Sequence, residues 1–94
     1  MPFGRFHPGV TLREELEARG MTAAALALKL RVPPQRLHEI VRGKRAITSE
    51  TALRLARYFG NEPEFWLNLQ QQFDLAQTRE TAGARIDREV EVAD

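Results

Sequence analysis

Two short apolar segments separated by a double proline constrain the fold of this chain more than any other feature. The first segment begins at Thr22, which favours the N-cap of a helix, and carries leucines at helical spacing up to Leu30. Pro33 and Pro34 cannot lie in a helix interior, but one of them suits the first turn of a second helix that should end at Gly43. The spacing therefore predicts two helices joined by a tight turn, a helix-turn-helix.

The turn between these two helices contains one unusual residue. A helix-turn-helix needs a small residue where its helices approach most closely, and Ala27 supplies it. Four residues later the turn usually takes Gly, which reaches a left-handed conformation without strain, but this chain has Arg31. Either the turn has a slightly different shape or it tolerates a strain of about 1 kcal/mol.

Further helices are expected on both sides of the pair. Thr11 and Glu14 have the spacing of a capping box for a first helix, and Thr48 should cap a fourth. A fifth should open at a proline that suits its first turn. The three additional helices are predicted at about Leu12–Arg19, from Thr48 to Gly60, and from Pro63 to about Leu75.

The sequence therefore predicts an all-α fold with five helices in one domain. That domain should occupy residues 1–75, with residues 63–75 as its C-terminal helix. Residues 76–94 lose the apolar periodicity and are expected to form a short charged tail, either flexible or ordered by a partner.

Charge is strongly segregated along the chain, although the net charge is only +1. Residues 31–58 carry seven basic and two acidic side chains, whereas residues 59–75 carry no basic and three acidic ones. Residues 76–94 carry three basic and five acidic side chains. The basic middle favours an anionic partner, and the acidic end could avoid DNA or meet a basic protein.

Composition argues against several classes of protein. The chain has no cysteine, so it can form neither a disulfide nor a thiolate metal site. No apolar run approaches the roughly 18 residues of a membrane span, and the N-terminus lacks an apolar signal core, so we expect a cytoplasmic protein. His7 and His38 are isolated, Ser49 is the only serine, and no metal-ligand spacing occurs. We therefore predict no catalytic residue, metal or cofactor.

The second helix of the pair has an outward face suited to DNA. Gln35 and Arg36 are candidates to read bases, because Gln and Arg make bidentate contacts with adenine and guanine edges. Arg42, Lys44 and Arg45 follow the helix and are better placed for phosphate, with Thr48 at the next helix start. The alternative is that these charges only keep the loop soluble.

The fifth helix carries more apolar side chains than one buried stripe requires. Because a domain of this size cannot easily bury them all, some are predicted to form a homodimer interface. The alternative is internal packing against Phe59, Phe3 and Phe6. The predicted dimerisation residues are Phe65, Trp66, Leu69 and Phe73.

An ordered set of motifs over residues 7–75 resembles the HigA-type antitoxins of the Xre-like, phage-repressor-like helix-turn-helix class. The last motif, Glu64-Phe-Trp-Leu-Asn-Leu-Gln70, makes the set far more specific than the helix-turn-helix alone. The motifs in order are His7-Pro8-Gly9, Leu12-Arg-Glu-Glu-Leu16, Gly43-Lys-Arg-Ala-Ile-Thr48, Thr51-Ala-Leu-Arg-Leu-Ala56 with Phe59-Gly60, and Pro63 to Gln70.

The resemblance implies a homodimer that binds a palindromic operator, represses its own operon and neutralises a HigB-type toxin similar to the RelE ribonucleases, which cleave messenger RNA. Two alternatives remain: a stand-alone transcriptional regulator, and an interaction module that has lost DNA binding, for which Ala24 and Arg31 are hints because they depart from the usual pattern. The DNA-facing residues implied by the resemblance are Gln35, Arg36, His38, Arg42, Lys44, Arg45 and Thr48.

Overall fold

Five helices form the body of the domain in a computed structural model that describes residues 6–94. No strand occurs among these residues, so the all-α, five-helix prediction is confirmed. A π-helical turn and a sixth short helix follow. The elements are α1 (Pro8–Arg19), α2 (Ala23–Leu30), α3 (Pro34–Val41), α4 (Ser49–Phe59), α5 (Pro63–Thr78), the π-helical turn (Arg79–Gly83) and α6 (Ala84–Glu89).

Helix α1 begins four residues earlier than the sequence predicts. His7 is its N-cap: the Gly9 N–H donates to His7 Nδ1 over 2.9 Å, and Pro8 occupies the first helical turn. The predicted capping box at Thr11 is therefore wrong, since Thr11 lies inside the helix. The imidazole nitrogen of His7 accepts the capping hydrogen bond, and the φ of the proline that follows suits a helix. This arrangement replaces the expected hydroxyl cap.

The core lies where all five helices of the body meet. Its apolar side chains come from every one of them, and the most deeply buried are completely inaccessible to solvent. Ala27 is fully buried where α2 meets α3, as a close approach of the two helices requires. The fully inaccessible apolar residues are Leu12, Leu26, Ala27, Leu37, Ile40, Ala52 and Leu55.

The α2–α3 turn has the left-handed geometry that its position demands. Arg31 has φ 60° and ψ 47°, and it is the one non-glycine residue with positive φ among those described. Its neighbour Leu30 offers a carbonyl oxygen that accepts a hydrogen bond from Arg54 Nη1 at 2.9 Å. The turn therefore keeps its usual shape and bears the strain, while a side chain from α4 secures it.

The helical backbone continues well past the predicted end at Leu75. Helix α5 runs to Thr78, and the π-helical turn and α6 carry helical dihedral angles on to Glu89. The turn and α6 contain no buried residue, and the molecule measures 52 × 24 × 22 Å, so this extension projects from the body. Helical patterning of residues 76–89 escaped detection because no buried apolar stripe accompanies it.

Replacing Arg31 with Gly should raise the free energy of unfolding by about 0.5–1 kcal/mol, because Gly relieves the left-handed strain at some cost in unfolded-chain entropy. Urea denaturation at equilibrium would measure it. Arg31→Ala is the matched control, since it removes the same side chain but keeps a Cβ, and it should give no such gain. Equal stability of both variants would contradict strain at Arg31.

Candidate nucleic-acid interface

Helix α3 presents one face to the core and the opposite face to solvent. Leu37 and Ile40 are fully buried and anchor the helix against α1 and α2. Gln35 is exposed, and Arg36 and His38 are partly exposed. The predicted outward orientation of the Gln-Arg pair therefore agrees with the structure.

Arg36 is held against the start of α4 by an ion pair. Its Nη1 lies 3.3 Å from Oε1 of Glu50, which is in the first turn of α4, where a carboxylate suits the positive end of the helix dipole. Arg54 also lies near this carboxylate, with Nε 3.7 Å from the same oxygen. For Arg36 to contact a base, its ion pair with Glu50 must therefore be replaced by a contact with that base.

A second polar network links α3 to the loop that follows it. Glu39 accepts hydrogen bonds from Gln35 Nε2 at 3.2 Å and from Arg45 Nε at 2.7 Å. These two hydrogen bonds, that from Arg45 above all, hold the pKa of the Glu39 carboxyl below its usual value. Two of the predicted DNA-facing side chains are thus joined through a carboxylate.

The loop between α3 and α4 displays the predicted phosphate-binding residues. Arg42, Lys44 and Arg45 are all exposed, and the left-handed Gly43, with φ 76°, turns the chain away from α3. Thr48 is the N-cap of α4, as predicted, and its hydroxyl oxygen accepts from the Thr51 N–H. Cationic side chains and a helix N-terminus at one place form a site suited to an anion.

Buried contacts from α5 fix the position of this loop. The Ile47 N–H donates to Oε1 of Gln70 at 2.8 Å, and Gln70 Nε2 donates to Asp74 at 3.1 Å. The ring of His7 packs edge-on against Phe73 with centroids 5.0 Å apart, and burial there lowers the pKa of His7. The loop predicted to bind phosphate is therefore braced by the fifth helix.

The predicted dimerisation residues do not share one environment. Trp66 is only 1% exposed within a single chain; it packs near Phe59, and its Nε1 donates to Asn61. Its assignment to the dimer interface is therefore wrong, because an indole of this size buries most area by filling the core. Leu69 and Phe73 are half-buried, and Phe65 is 45% exposed.

The alternative of internal packing is thus correct for Trp66. Phe6 is 53% exposed, and Phe3 lies outside the described residues.

Sequence reasoning placed Glu39 on the outward face of the third helix but missed the contacts of three residues in this region. Glu39 and Glu50 pair with predicted DNA-facing arginines, and Gln70 supports the loop from inside. The signal for Glu39 was available, since Gln35 and Glu39 are four residues apart on one helix and such pairs are neighbours. The contact of Gln70 with Ile47 spans 23 residues, and no local pattern indicates it.

The described residues contain neither a candidate metal cluster nor a membrane-spanning helix. No three His, Asp or Glu side chains of residues 6–94 gather closely enough to hold a metal ion. Within the same residues, every helix is too short or too polar to cross a bilayer.

The chain matches a family of known proteins across this surface. The model of the helix-turn-helix family matches residues 12–67, which include α2, α3 and the loop between α3 and α4. Virulence-associated protein I of Dichelobacter nodosus is 56% identical over 70 residues, which cover 73% of this chain. The match spans 65% of the length of that relative, just under two thirds.

Two similar solved structures agree over nearly the whole chain. An addiction module antidote protein of the HigA family from Coxiella burnetii superposes with a TM-score of 0.92 at 44% identity, covering 95% of this chain and 98% of that one. Antitoxin HigA of Pseudomonas aeruginosa, solved with the higBA promoter, gives 0.90 at 40% identity, covering 93% and 96%. The resemblance to HigA-type antitoxins is therefore confirmed.

Proposed function

The chain belongs to the helix-turn-helix family, and from this premise we propose that it is a HigA-type antitoxin. In this role it binds operator DNA in the cytoplasm as a dimeric repressor of its own operon and neutralises a HigB-type toxin. The observation that carries the proposal is the outward face of α3, flanked by the cationic loop from Arg42 to Arg45. The Pseudomonas aeruginosa relative, whose structure contains its promoter, supports the same role.

The dimensions and charges of α3 suit the DNA major groove. A helix with its side chains is about 10–12 Å across, and the groove is about 12 Å wide. Gln35 lies on the first turn, where a recognition helix meets base edges, and Lys44 lies beyond the last turn. The Arg36–Glu50 and Arg45–Glu39 pairs are partly exposed, so exchanging them for DNA contacts costs little.

A dimer is proposed through the exposed apolar part of α5 and its extension. Phe65, Leu75 and Ile86 are 45%, 46% and 42% exposed in the single chain. Exposed apolar side chains of this size along α5 and α6 favour burial against a second copy. Two recognition helices related by twofold symmetry would then read the two halves of a palindromic operator.

Toxin neutralisation is assigned to the acidic end of the molecule. Residues 59–75 carry three acidic and no basic side chains, and residues 79–94 carry five acidic and three basic ones. The π-helical turn and α6 contain no buried residue. A toxin that binds RNA needs a basic surface, which these carboxylates complement. A stand-alone regulator would use the same DNA-binding face but would have no toxin partner.

DNA titrations with two variants separate base reading from phosphate binding. Gln35→Ala should cost about 1–3 kcal/mol and relax preference at one base pair, because it removes a contact with a base edge. Lys44→Ala should weaken binding to all sequences alike and lower the salt slope by about one. The measurement is fluorescence anisotropy on promoter duplexes with single base changes. Arg88→Ala, which removes a cation from α6, is the control and should change neither quantity; uniform losses for both test variants would contradict the assignment.

Phe65→Ala should shift the dimer towards monomer by about 2 kcal/mol or more, because an aromatic anchor is lost from a buried interface. Sedimentation equilibrium would measure the dissociation constant. Leu53→Ala removes an apolar side chain that is 60% exposed on α4, and it should leave the dimer intact. A monomeric wild-type protein would refute the proposed interface.

Co-expression with the adjoining reading frame tests the antitoxin role. The neighbour alone should arrest growth, and the full chain should restore it. Glu80→Gln, Asp87→Asn, Glu91→Gln and Asp94→Asn together should abolish this rescue while promoter binding persists, because they remove exposed carboxylates and leave α5 and Ile86 in place. Rescue by this variant would exclude these carboxylates as the toxin-binding surface, and a harmless neighbour would favour the stand-alone regulator.

A further inference from the structure

We propose that Glu39 determines DNA sequence specificity by holding Gln35 and Arg45 in place and by placing a negative charge on the DNA-facing surface. The inference rests on the proposed DNA-binding function. The family resemblance assigns no role to Glu39. Glu39 is also negatively charged, whereas the neighbouring residues predicted to face DNA are neutral or positively charged.

Both oxygens of the Glu39 carboxylate are engaged by side chains of the DNA-facing set. Oε1 lies 2.7 Å from both Nε and Nη2 of Arg45, and Oε2 accepts from Nε2 of Gln35 at 3.2 Å. Gln35 comes from the first turn of α3 and Arg45 from the loop beyond it, so the carboxylate joins the two ends of the surface. No other carboxylate contacts either side chain in the part of the chain that the structure describes.

The contact with Gln35 prepares that side chain to read a base. One amide N–H is committed to Glu39, which leaves the carbonyl oxygen and the second N–H free. An adenine edge presents one donor and one acceptor, which pair with the carbonyl oxygen and the remaining N–H of Gln35 respectively. Because the side chain is already ordered before DNA arrives, binding avoids part of the entropy cost of about 0.5–1.5 kcal/mol for fixing it.

The contact with Glu39 competes with phosphate groups for the Arg45 guanidinium. An unpaired arginine at the edge of the groove would strengthen binding to every duplex equally, and so add affinity without selectivity. While Glu39 holds Arg45, the cation is directed to one position. Glu39 therefore restricts the positions that the Arg45 guanidinium can adopt.

The charge of Glu39 itself opposes indiscriminate binding. The hydrogen bonds from Arg45 and Gln35 hold the pKa of this carboxyl below its usual range, so it stays ionised against the DNA polyanion. In the major groove, a carboxylate is satisfied only by the amino groups of cytosine or adenine. Every base pair places one such amino group in the major groove, so sequences that put a guanine or thymine acceptor against Glu39 instead bind more weakly. Specificity arises from this difference in affinity.

Replacing Glu39 should change the stability of the fold little, so its effect on DNA binding can be measured separately. Its pair with Arg45 is a surface ion pair, with side chains 30% and 49% exposed, and such pairs contribute little to stability. Glu15 supplies a matched control: it pairs with Arg19 over 2.9 Å on α1, and its side chain is 40% exposed. Glu15→Gln makes the same change of net charge on a different helix.

The experiment is anisotropy titration of the full chain on its own promoter duplex and on a scrambled duplex of equal length, at several salt concentrations. Glu39→Gln should bind the scrambled duplex more tightly, with a salt slope steeper by about one, because Arg45 is released to phosphate. The ratio of promoter to scrambled affinity should fall about tenfold. Glu15→Gln should keep the wild-type ratio.

Glu39→Asp separates the two parts of the role. The shorter side chain keeps the charge but cannot bridge Gln35 and Arg45, so promoter affinity should fall, while scrambled affinity should rise less than it does for Glu39→Gln. A wild-type preference that Glu39→Gln and Glu39→Asp both retain would overturn the role of Glu39 and leave the proposed function standing. Wild-type protein with no preference for its promoter would overturn the proposed function instead.

Discussion

The close packing of α3 against α1 and α2 is the constraint on which the rest of the molecule depends. Leu37 and Ile40 are completely buried, and Ala27 is small enough to let α2 approach. Once these residues face inward, the 3.6-residue repeat of a helix leaves Gln35 and Glu39 on the outside. The chemistry of the surface therefore follows from the packing beneath it, and a change in register of α3 would replace every group shown to DNA.

Much of the body could be predicted because its signals are local. Thr22 and Thr48 cap α2 and α4, Gly20 and Gly60 end α1 and α4, and Pro34 opens α3, all within a few residues of the feature they control. Capping and proline geometry act over one helical turn, so the sequence displays them directly. The start of α1 was mispredicted because Pro8 fits the first helical turn and His7 caps it, so the helix begins before the hydroxyl cap expected at Thr11.

The remaining features depend on contacts that sequence spacing does not reveal. Trp66 is of a residue type that is common at protein interfaces. It nevertheless lies in the core, because α4 and the start of α5 enclose it. The pairing of Arg36 with Glu50 likewise requires two helices to meet at a particular angle. Cationic residues alone predict a surface for anions, but the neighbouring carboxylates determine how selective that surface can be.

The brace between Gln70 and the Ile47 amide has a mechanical consequence. Breaking a buried hydrogen bond of this kind leaves its donor unsatisfied and costs about 1–3 kcal/mol. A displacement of Gln70 and a displacement of the Ile47 backbone are therefore energetically coupled. A substitution or partner that moves this part of α5 would also disturb the loop that carries the exposed side chains of Lys44 and Arg45.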